Sequence, residues 1–208
     1  MYSRSSSRPT IKTRMAPSSF AAAVVVVLLL GACAHPITIN PTSTPLRSED
    51  QLYSKKVVGY VMTDADRGKQ VTTEGGGGDK VSYFPYKELE KGIRDALKSI
   101  YGDVVLVRSP TDIEAIRRDQ IFFVFAPEIY TNSNSDSILT WPPTQFSIDL
   151  LSTVTDATGN ILARVRVIGQ GVASFSEFSG DFGLAGRRAA KDALEKFIAE
   201  IRANERLR

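Results

Sequence analysis

The chain has 208 residues, of which 42% are hydrophobic and 24% are charged, a balance that provides a packed core and excludes disordered and fibrous proteins. Its net charge of +3 comes from the first 32 residues, which hold four basic residues and no acidic one, so that 22 Lys and Arg remain against 23 Asp and Glu. The basic charge is therefore no sign of a nucleic-acid partner. Because the chain has one Cys (Cys33) and one His (His35), a disulfide framework and a Cys/His zinc site are excluded.

Residues 1–32 have the pattern of a secretory signal peptide. A basic stretch that ends at Arg14 precedes an unbroken apolar run, Phe20 to Leu30, and then the small residues Gly31 and Ala32. Eleven apolar residues span about 16 Å as a helix, roughly half of the hydrocarbon core of a bilayer. We therefore expect cleavage and not a permanent transmembrane helix.

The segment Leu30-Gly31-Ala32-Cys33 resembles the lipobox of bacterial lipoproteins at each of its four positions. The resemblance implies diacylation of the Cys33 sulfur, cleavage before Cys33 and acylation of the new amino terminus with a fatty acid such as palmitate. Several acyl chains hold a protein on a membrane far more firmly than one. Residue 34 is Ala and not the Asp that retains many such lipoproteins at the inner membrane, so similarity to that sorting pattern implies the periplasmic face of the outer membrane. An ordinary signal peptide with a chance Cys, or a short membrane anchor, stays open as an alternative.

The stretch 33–54 holds three prolines and few large apolar residues. This composition predicts that the lipidated Cys33 is followed by an extended, flexible tether. The tether has a maximum reach of about 65 Å. We expect His35, within it, to be a solvated residue.

Residues 55–208 are predicted to form one periplasmic domain. Apolar periodicity indicates a central strand Val57–Met62, a mobile loop over 63–80 that contains Gly75 to Gly78, and a helix that begins at Pro85. A strand at 104–107, a short capped helix to residue 118 and a strand at 121–129 follow.

The next pair of strands, at 146–154 and 161–175, is expected to form a hairpin with Gly159 in a left-handed turn position. Matching their apolar faces sets Asp149 opposite Arg166. A long amphipathic helix at 181–204 closes the chain. Together these elements predict an α+β fold: a mixed or antiparallel sheet with helices packed mainly on one face.

Catalytic and cofactor motifs are missing from the sequence. Gly169-Gln170-Gly171 lies inside a predicted strand and is interpreted as close backbone packing or a bulge. No His lies in the predicted domain, so an enzyme would have to use loop carboxylates. Nothing in their spacing along the chain places two of them at the separation that catalysis requires. We therefore expect no enzyme, catalytic residue, metal, cofactor or small-molecule substrate. The carboxylates considered are Asp64, Asp66, Glu74, Asp79 and Glu128.

The segment Trp141-Pro142-Pro143 holds the only Trp of the chain, followed by two prolines that stiffen it. A rigid aromatic side chain is a good anchor for a peptide, glycan or protein. Two interpretations stay open: a partner-binding site at Trp141, Pro142 and Pro143, or a side chain that closes one end of the core.

The closing hairpin and helix, from Phe146 to Ile201, resemble the C-terminal half of the YajG-like small bacterial lipoproteins, which are uncharacterised. The resemblance implies an outer-membrane lipoprotein and supplies no catalytic residues. We expect a non-enzymatic protein-interaction or envelope-accessory module, held by acylation of Cys33 and bound to an unknown envelope protein. An auxiliary lipoprotein of a transport or secretion system, and a peptidoglycan-binding or other glycan-binding protein, are the alternatives.

Overall fold

A computed structural model describes residues 34–41, 53–136, 138–178 and 180–208. The predicted signal peptide, Cys33 and residues 42–52 of the predicted tether lie outside these ranges. Within them, no helix is both long and apolar enough to cross a membrane.

Eight strands and four α-helices make up the described residues, together with 3-10 turns at Phe175–Glu177 and Glu205–Leu207. In chain order they are β1 (His35–Pro36), β2 (Val57–Val61), α1 (Asp64–Arg67), β3 (Val71–Glu74), β4 (Lys80–Tyr83), α2 (Pro85–Lys98), β5 (Asp103–Val107), α3 (Ile113–Arg118), β6 (Ile121–Asn134), β7 (Gln145–Asp156), β8 (Ile161–Val172) and α4 (Leu184–Ala203).

The strands form two sheets. In the five-stranded sheet the order is β5-β2-β6-β7-β8, with parallel pairing across β5, β2 and β6 and antiparallel pairing across β6, β7 and β8. In the three-stranded sheet the order is β1-β4-β3, with β1 parallel and β3 antiparallel to β4. The predicted mixed α+β fold is confirmed.

The two long helices share one face of the large sheet. Buried residues of α2 and α4 belong to one core cluster with β6, β7 and β8, whereas α3 packs in a smaller cluster with β5, β2 and the start of β6. Because β5 and β6 lie on opposite sides of β2, right-handed crossovers place α2 and α3 on opposite faces. Helices therefore lie mainly, but not only, on one face.

Helix α4 approaches β8 closely enough to require glycine. A Cβ on Gly169 would lie 2.2 Å from the Ala189 carbonyl oxygen, and one on Gly171 would lie 2.0 Å from that of Ala185. Such distances leave no room for a side chain. The interpretation of Gly169-Gln170-Gly171 as close backbone packing is confirmed.

The hairpin of β7 and β8 has the predicted turn but a different register. Asp149 pairs with Ile168 and not with Arg166. The turn holds three residues between Asp156 and Asn160, one more than the predicted pairing of Asp149 with Arg166 allows, and a bulge beyond Val154 adds one more residue. Because the two additions sum to an even shift, the apolar faces still match, and Arg166 reaches Asp149 on the diagonal at 2.6 Å.

The first residues of the predicted tether belong to the folded domain. His35 and Pro36 pair with β4, Ile37 is 7% exposed and Ile39 is fully buried. The Ile39 N–H donates to Glu88 Oε2 on α2 at 2.5 Å. The interpretation of 34–41 as free tether is therefore wrong, since alternate side chains of this segment pack in the core.

The same segment packs against three glycines, which leave space for it because they have no side chain. A Cβ on Gly183 would meet the Thr38 carbonyl oxygen at 2.0 Å, and one on Gly186 would meet the Ile39 side chain at 2.4 Å. On α2, a Cβ on Gly92 would lie 3.2 Å from Pro41. Residues 38–41 therefore pack against glycines of α2 and of the start of α4. In the sequence, these glycines appear only as interruptions of an apolar stripe.

The loop expected over 63–80 also contains regular structure. It holds α1 and β3, and β3 pairs with β4 in an antiparallel hairpin. Thr63 and Asp66 form a reciprocal capping box that starts α1. Only 75–79 connects the two strands of this hairpin, so the prediction of a long mobile loop is wrong.

Candidate interaction surfaces

Three rings from distant parts of the chain meet at one end of the long strands, where β6 ends and β7 begins. The His35 ring stacks on Trp141 with centroids 4.3 Å apart, and the Phe182 ring lies 4.7 Å from Trp141. We call these three residues the proximal cluster, because His35 is two residues from Cys33. His35 is therefore not a free tether residue, and Trp141 packs against the edge of the core.

The glycine turn at 75–79 lies directly against this cluster. The Gly76 N–H donates to the Trp141 carbonyl at 2.8 Å, and the Gly75 and Asp79 main chains close the turn at 2.9 Å. A Cβ on Gly75 would lie 2.3 Å from the Trp141 carbonyl oxygen. Gly77 and Gly78 adopt φ angles of 66° and 88°, which glycine tolerates best.

The predicted partner-binding residues have different surroundings. Pro142 and Pro143 are buried, so they present little surface to a partner. Trp141 itself is partly buried, whereas the two apolar residues before Thr140 are open to solvent. Ile138 and Leu139 are 84% and 89% exposed.

A hydroxyl network fixes the small sheet to the large one beneath this end. The Tyr83 hydroxyl donates to Thr131 Oγ1 at 2.8 Å and lies 3.1 Å from Thr73 Oγ1. Thr73 in turn contacts the Ser133 hydroxyl at 2.6 Å. Burial raises the pKa of Tyr83, so its hydroxyl stays neutral as a hydrogen-bond donor.

The opposite end of the long strands carries an apolar cleft of about 840 Å³ between α3 and the β7–β8 turn. We call it the distal cleft. Ile113 and Phe122 on its walls are 57% and 52% exposed. Other residues that line it include Ile116, Arg117, Phe123 and Thr158.

A β-bulge accounts for the exposure of Phe122. Ile121 pairs with Val57 and Phe123 pairs with Val58, so Phe122 is the extra residue between them. Ile121 and Phe123 then belong to the clusters on opposite faces of the sheet. Bulges often re-aim a side chain in this way. The apolar run at 121–125 gave no sign of it, because every residue in that run suits a buried strand.

A third depression, of about 560 Å³, lies at the carboxyl ends of β2 and β5, where the chain turns to opposite faces of the sheet. Its wall residue Arg67 forms hydrogen bonds to Glu90 at 2.7 Å and to Asp64 at 2.8 Å. The Arg67 guanidinium lowers the pKa of Glu90. Ligands often bind at such switch points, but here Arg67 already pairs with Glu90 and Asp64.

The carboxylates considered for catalysis have separate local contacts. Asp66 accepts hydrogen bonds from the Thr63 main chain and hydroxyl, and Glu128 accepts one from the Tyr130 hydroxyl at 3.1 Å. Asp79 Oδ2 lies 3.8 Å from His35 Nε2. Over the described ranges, no group of three or more His, Cys, Asp or Glu side chains is arranged to hold a metal.

Known proteins resemble this chain in structure and not detectably in sequence. No protein-family model and no curated protein matches the sequence. Among solved structures, the crystal structure of protein XCC0632 from Xanthomonas campestris, described as a DUF330 protein, is similar at 10% identity and a TM-score of 0.40. The match covers 80% of this chain and 88% of that chain. A likeness at this level carries no conclusion about activity.

Proposed function

We propose that this chain is a lipoprotein, anchored through acylated Cys33 to the periplasmic face of the outer membrane, whose domain binds an envelope protein and catalyses no reaction. The Leu30-Gly31-Ala32-Cys33 motif and the YajG-like C-terminal half support the anchor. The distal cleft supports the binding role, and it is the observation on which the proposal depends.

The position of the distal cleft suits a partner away from the anchor. Within β6, Phe123 lies beside the cleft and Asn134 lies at the proximal end. Eleven residue steps of a strand span about 36 Å. The described domain begins at residue 34, next to Cys33 in the sequence, so the distal cleft suits a partner that lies away from the lipid attachment.

The walls of the cleft indicate the chemistry of the partner. Ile113 and Phe122 offer exposed apolar surface, and the basic side chain of Arg117 is exposed beside them. Aromatic side chains and arginine are enriched in protein interfaces. We propose that the ligand is an apolar segment of a protein that carries a carboxylate for Arg117.

Site-specific photocrosslinking in intact cells tests the binding role. A photoreactive residue is placed at Phe122 in the full-length, lipidated chain, and the matched control carries it at Tyr130, on the same strand and 57% exposed. We expect one defined protein adduct from position 122 and none from position 130. No adduct, or the same adducts from both positions, contradicts the proposal.

The anchor is tested separately with Cys33→Ser. We expect the native protein to partition with outer membranes and to carry acyl chains on Cys33 by mass spectrometry, and the variant to be soluble in the periplasm or unprocessed. A native protein with an unmodified Cys33 contradicts the anchor.

The same crosslinking separates the alternatives. An adduct with an inner-membrane transporter supports the transport-accessory alternative. The glycan-binding alternative requires Trp141 as a stacking platform, but His35 and Phe182 already pack against that indole. Co-sedimentation of the native protein, but not of Trp141→Ala, with purified peptidoglycan supports it over protein binding.

A further inference from the structure

We propose that the proximal end is a phospholipid-contacting surface, on which Ile138, Leu139 and Phe182 rest in the interfacial region of the membrane that holds the lipid on Cys33. This inference rests on the proposed acylation of Cys33. It adds a second, non-covalent contact with the bilayer and gives the domain a fixed orientation.

Covalent geometry limits how far this end can be from the lipid. Cys33 and His35 are two residues apart, a span of at most about 7 Å. His35 is held by its pairing with Val81 in β4 and by its stacking on Trp141. No free tether separates the lipid attachment point from the domain, so the surface around Trp141 is the part of the domain nearest to the bilayer.

The side chains around Trp141 have the composition of an interfacial surface. Ile138 and Leu139 are almost fully exposed, and Phe182 is 47% exposed beside the indole. The Ile138 carbonyl lies near the glycine turn, 3.2 Å from where a Cβ on Gly77 would be. Tryptophan and neighbouring apolar residues favour the boundary between headgroups and acyl chains.

The charges nearby indicate that this contact does not depend on anionic lipid. Asp79 lies beside His35, and Asp136 accepts a hydrogen bond from Gln145 in the same connection. Asp181, next to Phe182, pairs with Arg187. A polybasic surface, the usual means of binding anionic headgroups, is not what these residues form.

A domain that stands on its proximal end holds the distal end off the bilayer. The distal end also exposes apolar side chains, but it lies about 36 Å away along β6. The two exposed apolar regions therefore have different occupants, lipid at the proximal end and protein at the distal cleft.

Fluorescence of the single tryptophan tests the inference. The full-length lipidated protein is reconstituted in vesicles of phosphatidylcholine and phosphatidylethanolamine, with or without bromine on the acyl chains. Since Trp141 is the only Trp of the chain, its emission reports this surface alone. We expect brominated lipid to quench Trp141, and we expect the double variant Ile138→Ser, Leu139→Ser to reduce the quenching without releasing the protein from the vesicles.

A relocated tryptophan provides the matched control. In the variant Trp141→Phe, Phe122→Trp, the emission comes from the distal end, and we expect brominated lipid to leave it unquenched. Equal quenching at both positions, or none at Trp141 in protein that is acylated and vesicle-bound, overturns the inference and leaves the anchor intact. Protein that mass spectrometry shows without acyl chains contradicts the proposed function instead.

A change of headgroup tests the interfacial character of the contact. Addition of phosphatidylglycerol to the vesicles is expected to leave the quenching of Trp141 unchanged. Quenching that appears only with anionic lipid and disappears in high salt would contradict an apolar contact with the membrane.

Discussion

The two ends of the long strands both expose apolar side chains, but the fold holds them in different ways. At the proximal end, Trp141 packs between segments that are distant in sequence, and the surrounding residues depend on its position. At the distal end, Phe122 is half-exposed by a single bulge, and its ring contacts Lys56, with Nζ 5.3 Å from the ring centroid. The exposed proximal end should therefore contribute to the stability of the fold through the packing of Trp141. The exposed side chain of Phe122 at the distal end should contribute little to it.

Replacing Ile39 is expected to produce the largest difference in the free energy of unfolding between variants of the two ends. Ile39 is fully buried, and Ile39→Ala should lower the free energy of unfolding by about 2–5 kcal/mol because it leaves a cavity. The distal control, Phe122→Ala, should change it by no more than about 0.5 kcal/mol. Denaturant unfolding of both variants measures the difference. Equal small effects would mean that residues 34–41 are a tether after all.

The glycine turn gives the next largest expected effect. A Cβ at position 75 meets a main-chain carbonyl that cannot move without Trp141, so Gly75→Ala should cost about 1–3 kcal/mol. It should also shift the emission of the single tryptophan. In the control, Gly68→Ala, the nearest atom lies at 3.4 Å and φ is −77°, so the change should be neutral or slightly stabilising. Unchanged Trp141 emission in Gly75→Ala would argue against the contact.

The hydroxyl network beneath the proximal end should contribute less. Tyr83→Phe removes the donor to Thr131 and leaves the partly buried hydroxyls of Thr131 and Thr73 with one partner fewer, which should cost about 1–2 kcal/mol. Tyr130→Phe, which removes an exposed hydroxyl, is the matched control and should be close to neutral. Thermal unfolding of the two variants compares them, and equal effects would show that the Tyr83 network does not couple the two sheets.

Much of the fold follows from patterns within single elements. Pro85 marks the start of α2, Asp112 caps α3, and the stripe of α4 that contains Leu194 and Phe197 is buried as expected. The hairpin prediction placed side chains on the correct faces of β7 and β8 although its register was wrong. A shift of two residues in the pairing leaves each side chain on the same face. Local periodicity and capping carry this information because they depend on neighbours in sequence.

The candidate surfaces depend on contacts that no single segment encodes. His35 stacks on a residue 106 positions later, and the path of residues 38–41 requires glycines on two different helices. The stretch 33–54, with its three prolines, resembled a tether because the residues that contact 34–41 lie far away in sequence. The bulge at Phe122 likewise depends on pairing with β2, which precedes it by about sixty residues. The sequence identified Trp141 as unusual but not what surrounds it.

Acid titration of the distal turn should produce the smallest effect. Hydrogen bonds from Thr158 and Asn160 lower the pKa of Asp156 from 3.8 to about 2. Because the folded-state pKa is depressed, the Asp156 carboxylate stabilises the turn fully above its ordinary pKa, and this contribution is lost as the pH falls toward 2. The melting temperatures of the native protein and Asp156→Ala should therefore differ at pH 6 and converge between pH 4 and pH 2. A constant difference over that interval would show that the ionised carboxylate does not hold the turn that forms one wall of the distal cleft.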